Sequence, residues 1–288
     1  MIRALFIAVF FFTMTPLLIS IQWLLGKLGL PGWGFICSNY YCVLCKLLRI
    51  RVRVEGTPVR DRAVLYVSNH VSWVDIVAIG SLAPVAFVAK SEVRRWPLIG
   101  ITAEMQRTVF VDRQRRHQTA DAVGEMVKRL KGGTSVVLFA EGTSSDGNRV
   151  LPFRSALLGA VKHMAAGHEG IGDILIQPMA ISYVSSHGIP LGRQHRPLVA
   201  WYGDLNFVPH IKELIARGAV DAMVSYGEPV RVGATIDRKA LTRQLEGAVR
   251  AMVTAALLKR PIPTAAAMAA ETPTPETPAA SLQEAPAS

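Results

Sequence analysis

The chain opens on two uncharged apolar stretches and then settles into short, alternating strand-like and helix-like runs. Residues 4–26 carry no charge and are bracketed by Arg3 and Lys27; about 20 apolar residues are enough to cross the hydrocarbon core of a bilayer. A secretory signal has a shorter apolar region followed by a small-residue cleavage site, and this chain has Trp23 and Leu24 there instead. Residues 28–45 are again uncharged, but Pro31, Gly32 and Gly34 break their start. They form either the second arm of a helical hairpin or a helix lying in the interface. Lys46, Arg49, Arg51 and Arg53 follow at once and suit anionic head groups. By the positive-inside rule they place the next domain on the cytoplasmic side of an inner membrane.

Beyond that point the pattern changes period repeatedly. Residues 63–68, 85–89, 108–111, 135–139, 174–181 and 222–226 read as strands. Residues 120–130 put Val123, Met126, Val127 and Leu130 on one helical face, with Gly132 and Gly133 ending it. Residues 155–166 read as a further helix, and Asp237 caps a last one in which Leu241, Leu245, Val249 and Met252 form the buried stripe. Alternation of this kind predicts an α/β domain with a mixed, largely parallel sheet flanked by helices. Residues 261–288 are almost entirely Pro, Ala, Thr and Glu without an apolar face, a composition that stays disordered. The expected organisation is a membrane anchor or hairpin over 1–50, a folded domain over 51–260 and a tail over 261–288.

Composition narrows the function. Of 288 residues, 50% are hydrophobic and 18% charged, so apolar surface is left over for lipid. The net charge of +11 comes without a zinc-finger spacing or an aromatic RNA-binding signature. An anionic membrane therefore fits better than a nucleic acid. Cys37, Cys42 and Cys45 lie in one apolar stretch and read as small buried hydrophobes, since no second pair completes a metal site. The histidines are scattered, so neither a metal nor another cofactor is expected.

Four polar blocks sit where strands end. The first, Asn69 to Asp75, follows the apolar run at 63–68 and holds His70 and Asp75 five positions apart. Five is not a helical neighbour spacing. It suits a strand end and turn, with Asp75 in the first turn of a helix starting near Trp73. The carboxylate can then bend back to the imidazole, fix its tautomer and leave the other ring nitrogen free to take a proton. A solvated histidine beside a capping aspartate is the bland alternative. The second block is Arg107 to Arg113; the third runs from Phe139 through Glu141, Gly142 and Thr143 to Arg154; the fourth is Gln177-Pro178-Met179.

In this order the blocks resemble those of the glycerolipid acyltransferases, the 1-acyl-glycerol-3-phosphate acyltransferases and their relatives, over roughly residues 54–230. The resemblance implies that family's fold and transfer of a fatty acyl group from a thioester, of acyl carrier protein or coenzyme A, to a hydroxyl of a lysolipid at the membrane. It makes His70 the general base and Asp75 the residue that orients it. Glu141, Gly142 and Thr143 would position the acceptor, Arg113 would supply the basic position of the second block, and Pro178 would shape the acyl-side wall. A covalent enzyme intermediate is unnecessary with an activated thioester, and no Gly-x-Ser-x-Gly elbow is present.

Two positions depart from the usual Phe-Pro-Glu-Gly-Thr-Arg-Ser: Ala140 replaces the proline and Ser144 the arginine. An arginine there suits a phosphate because its planar fork pairs with two oxygens. The run from Gly142 to Ala156 is similar to the branch that acylates lyso-ornithine lipid, a phosphorus-free aminolipid, which is the acceptor expected here. Arg149 or Arg154 can compensate for the missing arginine, which keeps lysophosphatidate as the rival acceptor. Trp201 to Asp204 and His210 either line the acceptor pocket or are structural, and Lys90 either meets an acidic carrier or is solvated. A non-catalytic lipid-binding protein on the same fold is the alternative of another class.

Overall fold

The computed structural model describes residues 2–30, 32–96, 99–111, 116–156, 158, 174–232 and 237–262, with only the backbone for 116–120. Arg113, most of the helix expected at 155–166 and the tail beyond residue 262 lie outside the described residues. Within them the chain forms α1 (Ile2–Lys27), α2 (Trp33–Leu48), β1 (Ile50–Glu55), β2 (Leu65–Ser68), α3 (Val74–Gly80), β3 (Val85–Lys90), α4 (Ile99–Met105), β4 (Val109–Val111) and α5 (Arg116–Lys131). There follow β5 (Ser135–Phe139), β6 (Ile174–Ser186), β7 (Ile189–Pro190), α6 (Phe207–Arg217), β8 (Val220–Tyr226), β9 (Val230–Val232) and α7 (Arg238–Leu258).

The sheet runs β1-β8-β6-β2-β5-β3-β4. β6, β2, β5, β3 and β4 are mutually parallel, and the antiparallel pairs all involve β6, with β7, β8 and β9. The sheet is mixed and mostly parallel, as the alternation predicts. The central strands β2, β3 and β5 are buried on both faces because helices cover both. On one face Leu44 and Leu48 of α2 and Val74 and Ile79 of α3 meet Met179, Ile181 and Tyr183 of β6. On the other, Met126 of α5 and Leu245, Val249 and Met252 of α7 meet Leu65, Val67, Ile176 and Ala180. Asp237 caps α7 by accepting from the amides of Lys239 and Ala240 at 3.2 and 3.0 Å.

The two N-terminal helices α1 and α2 pack against each other. Thr15 bonds Tyr40 at 2.6 Å, and Gln22 Nε2 donates to Trp33 O and Cys37 Sγ at 3.2 and 3.0 Å. α2 is not a free arm: Cys45 and Leu48 belong to the domain core, and Cys42 and Cys45 donate their thiols to the carbonyls of Ser81 and Val77. The anchor expected over 1–50 is thus packed into the domain from α2 onward. α1 rests on α2, α4 and α6 through a narrow stripe that includes Ile7, Thr15 and Gln22, while Leu5, Phe6, Val9, Phe12, Trp23 and Leu24 stay exposed.

Sequence patterning missed β1, α4 and α6, which are short or mixed in polarity. Pro178 sits inside β6 opposite Val67 of β2, within the run at 174–181 read as a strand. It is tolerated because β6 changes partner there, from β9 at residues 174–176 to β8 at residues 179–186, so no ladder amide is required. The Gln177 side chain fills the gap, donating to Thr57 O and Gly227 O at 2.9 and 2.8 Å and accepting from Val59 N at 3.1 Å.

Candidate active site

Parallel strands bring their carboxyl ends to one edge, and α/β proteins build sites there. β2 ends at Ser68, immediately before Asn69 and His70, and β5 ends at Phe139, immediately before Ala140 and Glu141. Asn69 prolongs the β2–β6 contact with its side chain, donating to Ile181 O and accepting from Ile181 N, each at 2.9 Å. His70 is thereby fixed at the mouth of the sheet.

Asp75 lies in the first turn of α3, as the five-residue spacing requires, and is fully buried. Its Oδ2 takes His70 Nδ1 at 2.7 Å and the amides of Val71 and Ser72 at 2.7 and 3.0 Å. Its Oδ1 takes the hydroxyl of Tyr183 at 2.6 Å. With the carboxylate acting as acceptor toward Nδ1–H, the lone pair of the imidazole is on Nε2. The ring keeps 21% of its side-chain surface open, and Nε2 has no hydrogen bond among the described residues. Below it, Phe139 stacks on the imidazole at 4.1 Å between centroids, and Phe87 stacks on Phe139 at 6.1 Å. The arrangement can accept a proton on Nε2 and hold the resulting charge against Asp75.

The third block closes over this pair. Ser145 N donates to His70 O at 2.9 Å, Ala140 N to Ser68 O at 3.0 Å and Arg154 N to Ala140 O at 2.8 Å. Gly142 and Gly147 both turn with φ of 76°, the left-handed region that favours glycine. A methyl group at Gly147 would stand 3.2 Å from Val71 Cγ1. Glu141 does not reach outward to an acceptor. It is 2% exposed, its Oε1 takes the Leu151 amide at 3.1 Å, and Oε2 is buried without a partner among the described residues. Burial pushes its pKa up to about 8, against the pull of the Leu151 and His70 amides. Its geometry shapes the loop from behind.

Thr143, Arg149 and Arg154 are exposed on the same loop, and Ser144 uses its hydroxyl inward, donating to Trp201 O at 2.5 Å. Pro178 lies elsewhere. It shares its side of β6 with Ile176 and Ala180, in the core under α7, and its Cγ sits against Gly227. The wall role implied for it is not supported by that position, which is across the sheet from Tyr183 and Met179.

Trp201 N donates to Val71 O at 2.9 Å, which ties a third loop to the pair. Trp73, Trp96, Trp201 and Phe207 pack edge-on or tilted at 5.5 to 6.0 Å. Trp73 Nε1 donates to His210 Nδ1 at 3.0 Å, and burial lowers the pKa of His210. His210 is therefore structural, the second of its two readings. Lys90 is exposed at the end of β3. Among the described residues no cluster of His, Cys, Asp or Glu could hold a metal. Tyr183 was invisible to pattern reading, because nothing local marks a strand tyrosine as the partner of an aspartate 108 positions away.

The acyltransferase family model matches residues 51–182. The chain is 47% identical to the lyso-ornithine lipid O-acyltransferase of Brucella abortus over 249 residues, covering 86% of this chain and 92% of that protein. It is 41% identical to the lyso-ornithine lipid O-acyltransferase of Rhizobium meliloti, over 82% and 80% of the two chains. The fold is similar to the crystal structure of the 1-acyl-sn-glycerophosphate acyltransferase PlsC from Thermotoga maritima, with a TM-score of 0.53 and 22% identity over 84% of this chain and 95% of that one.

Proposed function

The chain belongs to the acyltransferase family, and on that footing we propose that it moves a fatty acyl group from an acyl thioester to the hydroxyl of lyso-ornithine lipid at a membrane surface. The observation that carries the reading is the His70–Asp75 pair, with Nδ1 bonded at 2.7 Å and Nε2 open at the mouth of the sheet. The acceptor hydroxyl approaches Nε2 and gives up its proton as its oxygen attacks the thioester carbonyl carbon. The tetrahedral intermediate collapses with loss of the C–S bond, and the imidazolium returns the proton to the departing thiolate. Ester and free thiol are the products, and His70 ends as it began. Asp75 keeps the tautomer and balances the transient charge. A positioned base of this kind contributes about 10²–10⁴ in rate.

The acceptor assignment draws on the names of the two relatives at 47% and 41% identity. It also draws on Ser144, an uncharged side chain whose hydroxyl is already bonded to Trp201 O. The donor is the thioester of acyl carrier protein or of coenzyme A. The exposed apolar side of α1 supports association with a membrane, and the basic residues Lys46, Arg49, Arg51 and Arg53 that follow favour an inner membrane with the domain on its cytoplasmic side. Lysophosphatidate is the second reading, because Arg149 and Arg154 are exposed on the loop that covers His70.

Membranes from cells expressing the chain, offered lyso-ornithine lipid and lysophosphatidate in parallel with each donor, separate the two. Ester formed on the ornithine lipid alone supports the proposal; ester formed on lysophosphatidate alone overturns the acceptor.

A further inference from the structure

Beside the His70 loop lies a mixed-charge cluster that the acyl-transfer step does not use. A methyl at Gly147 would stand 3.2 Å from Val71 Cγ1 and 3.8 Å from Arg196 Cβ, so Val71, Gly147 and Arg196 adjoin one another one residue from the base. Arg196 Nη1 donates to Asn148 Oδ1 at 3.1 Å, while its Nε is buried and has no partner among the described residues. Asp146 is held by Asn148, whose amide and side chain donate to Oδ1 and Oδ2 at 3.0 and 3.1 Å. Its modest burial would raise its pKa, but the bonds from Asn148 and the charge of Arg149 outweigh this and the carboxyl titrates below its ordinary value. One guanidinium and one carboxylate are therefore held next to each other by a shared asparagine.

We propose that Arg196 and Asp146 form a head-group subsite for a zwitterionic amino acid, the guanidinium pairing with its carboxylate and Asp146 with its ammonium. This rests on the acceptor reading above. An ornithine head group carries both charges, with the carboxylate a few bonds from the hydroxyl to be acylated and the ammonium farther out. A planar guanidinium matches a carboxylate bidentately. A phosphomonoester, with about −1.5 to −2 charges near neutral pH, meets Asp146 as a like charge. Asp146 thus favours an ammonium over a phosphate at its own position, while Arg149 and Arg193 add positive charge beside the pair.

The test uses the full chain in membranes, an acyl carrier protein donor and three acceptors: lyso-ornithine lipid, its carboxyl methyl ester and its δ-N-acetyl derivative. For the native chain, KM for either blocked acceptor is expected to rise about 10-fold or more. Arg196→Gln raises KM for lyso-ornithine lipid similarly and no longer distinguishes the methyl ester, while Arg196→Lys recovers part of the loss. Asp146→Asn no longer distinguishes the N-acetyl derivative. A uniform rise in KM for all three acceptors marks a loop defect and overturns the subsite, as does unchanged KM in both variants. If the native chain acylates lysophosphatidate and not lyso-ornithine lipid, the acceptor reading itself has failed and takes the subsite with it.

Discussion

The hydroxyl of Tyr183 on β6 donates to Asp75 Oδ1 at 2.6 Å from a buried position, on the opposite oxygen from the one that holds His70. The aspartate is thereby fixed from both ends, by the sheet and by the turn at Val71 and Ser72. Tyr183→Phe keeps the ring in its core site and removes one of four donors. Hydrogen bonds to charged groups contribute about 1.5–3 kcal/mol, so kcat should fall roughly 10- to 100-fold with KM for the acceptor little changed. Steady-state kinetics at saturating donor measure the split. Loss confined to KM would mean that Tyr183 acts on binding and not on Asp75.

Glu141 makes stability depend on pH. Its carboxyl has a pKa of about 8 in the fold against an ordinary 4.5, so in the interval between those values the folded state holds a proton that the unfolded state has released. The stabilisation is complete below pH 4.5 and is lost as pH rises through about 8. Unfolding free energy should therefore decline with pH by as much as about 1.4 kcal/mol per unit in that window. Denaturant titrations in detergent at pH 5 to 9 measure the slope, and Glu141→Gln should flatten it.

Gly147 is a strict position by geometry. Alanine at φ of 76° costs roughly 1–2 kcal/mol, and its methyl would press on Val71 Cγ1 at 3.2 Å, beside the base. Gly147→Ala should lower stability by about that amount and reduce transfer more than Gly133→Ala. Gly133 has the same φ of 76° with open space around it. Parallel thermal melts and transfer assays compare the two.

The apolar side of α1 should hold the protein on lipid. Phe6 and Phe12 are 60% and 64% exposed, and placing two aspartates there removes apolar contact and adds charge in the bilayer. The double variant Phe6→Asp, Phe12→Asp should shift from the vesicle pellet to the supernatant in a sedimentation assay while the domain remains folded by circular dichroism.

Sequence pattern sufficed for the parallel core, the α7 stripe and the His70–Asp75 turn, because each is dictated by local periodicity or by a short covalent spacing. Residues 135–139 form β5 with the expected bounds. What depends on distant partners was not legible. Tyr183 and Trp201 reach the site only through strand order and loop packing. Pro178 is accommodated inside β6 by the change of partner along that strand, which no local pattern marks. Glu141 belonged to the right block, yet its depth of burial decides whether it meets a ligand or a backbone amide, and depth has no short-range signature.

The central claim is that Nε2 of His70 takes the acceptor proton, and the transfer rate of His70→Ala tests it most directly. Membranes carrying equal amounts of native and variant protein, supplied with an acyl thioester and lyso-ornithine lipid, should differ by about 10²–10⁴ in rate, with vesicle association unchanged. Turnover by the variant within a few-fold of the native rate would contradict the account, and the proton would have to leave by a route that does not pass through His70.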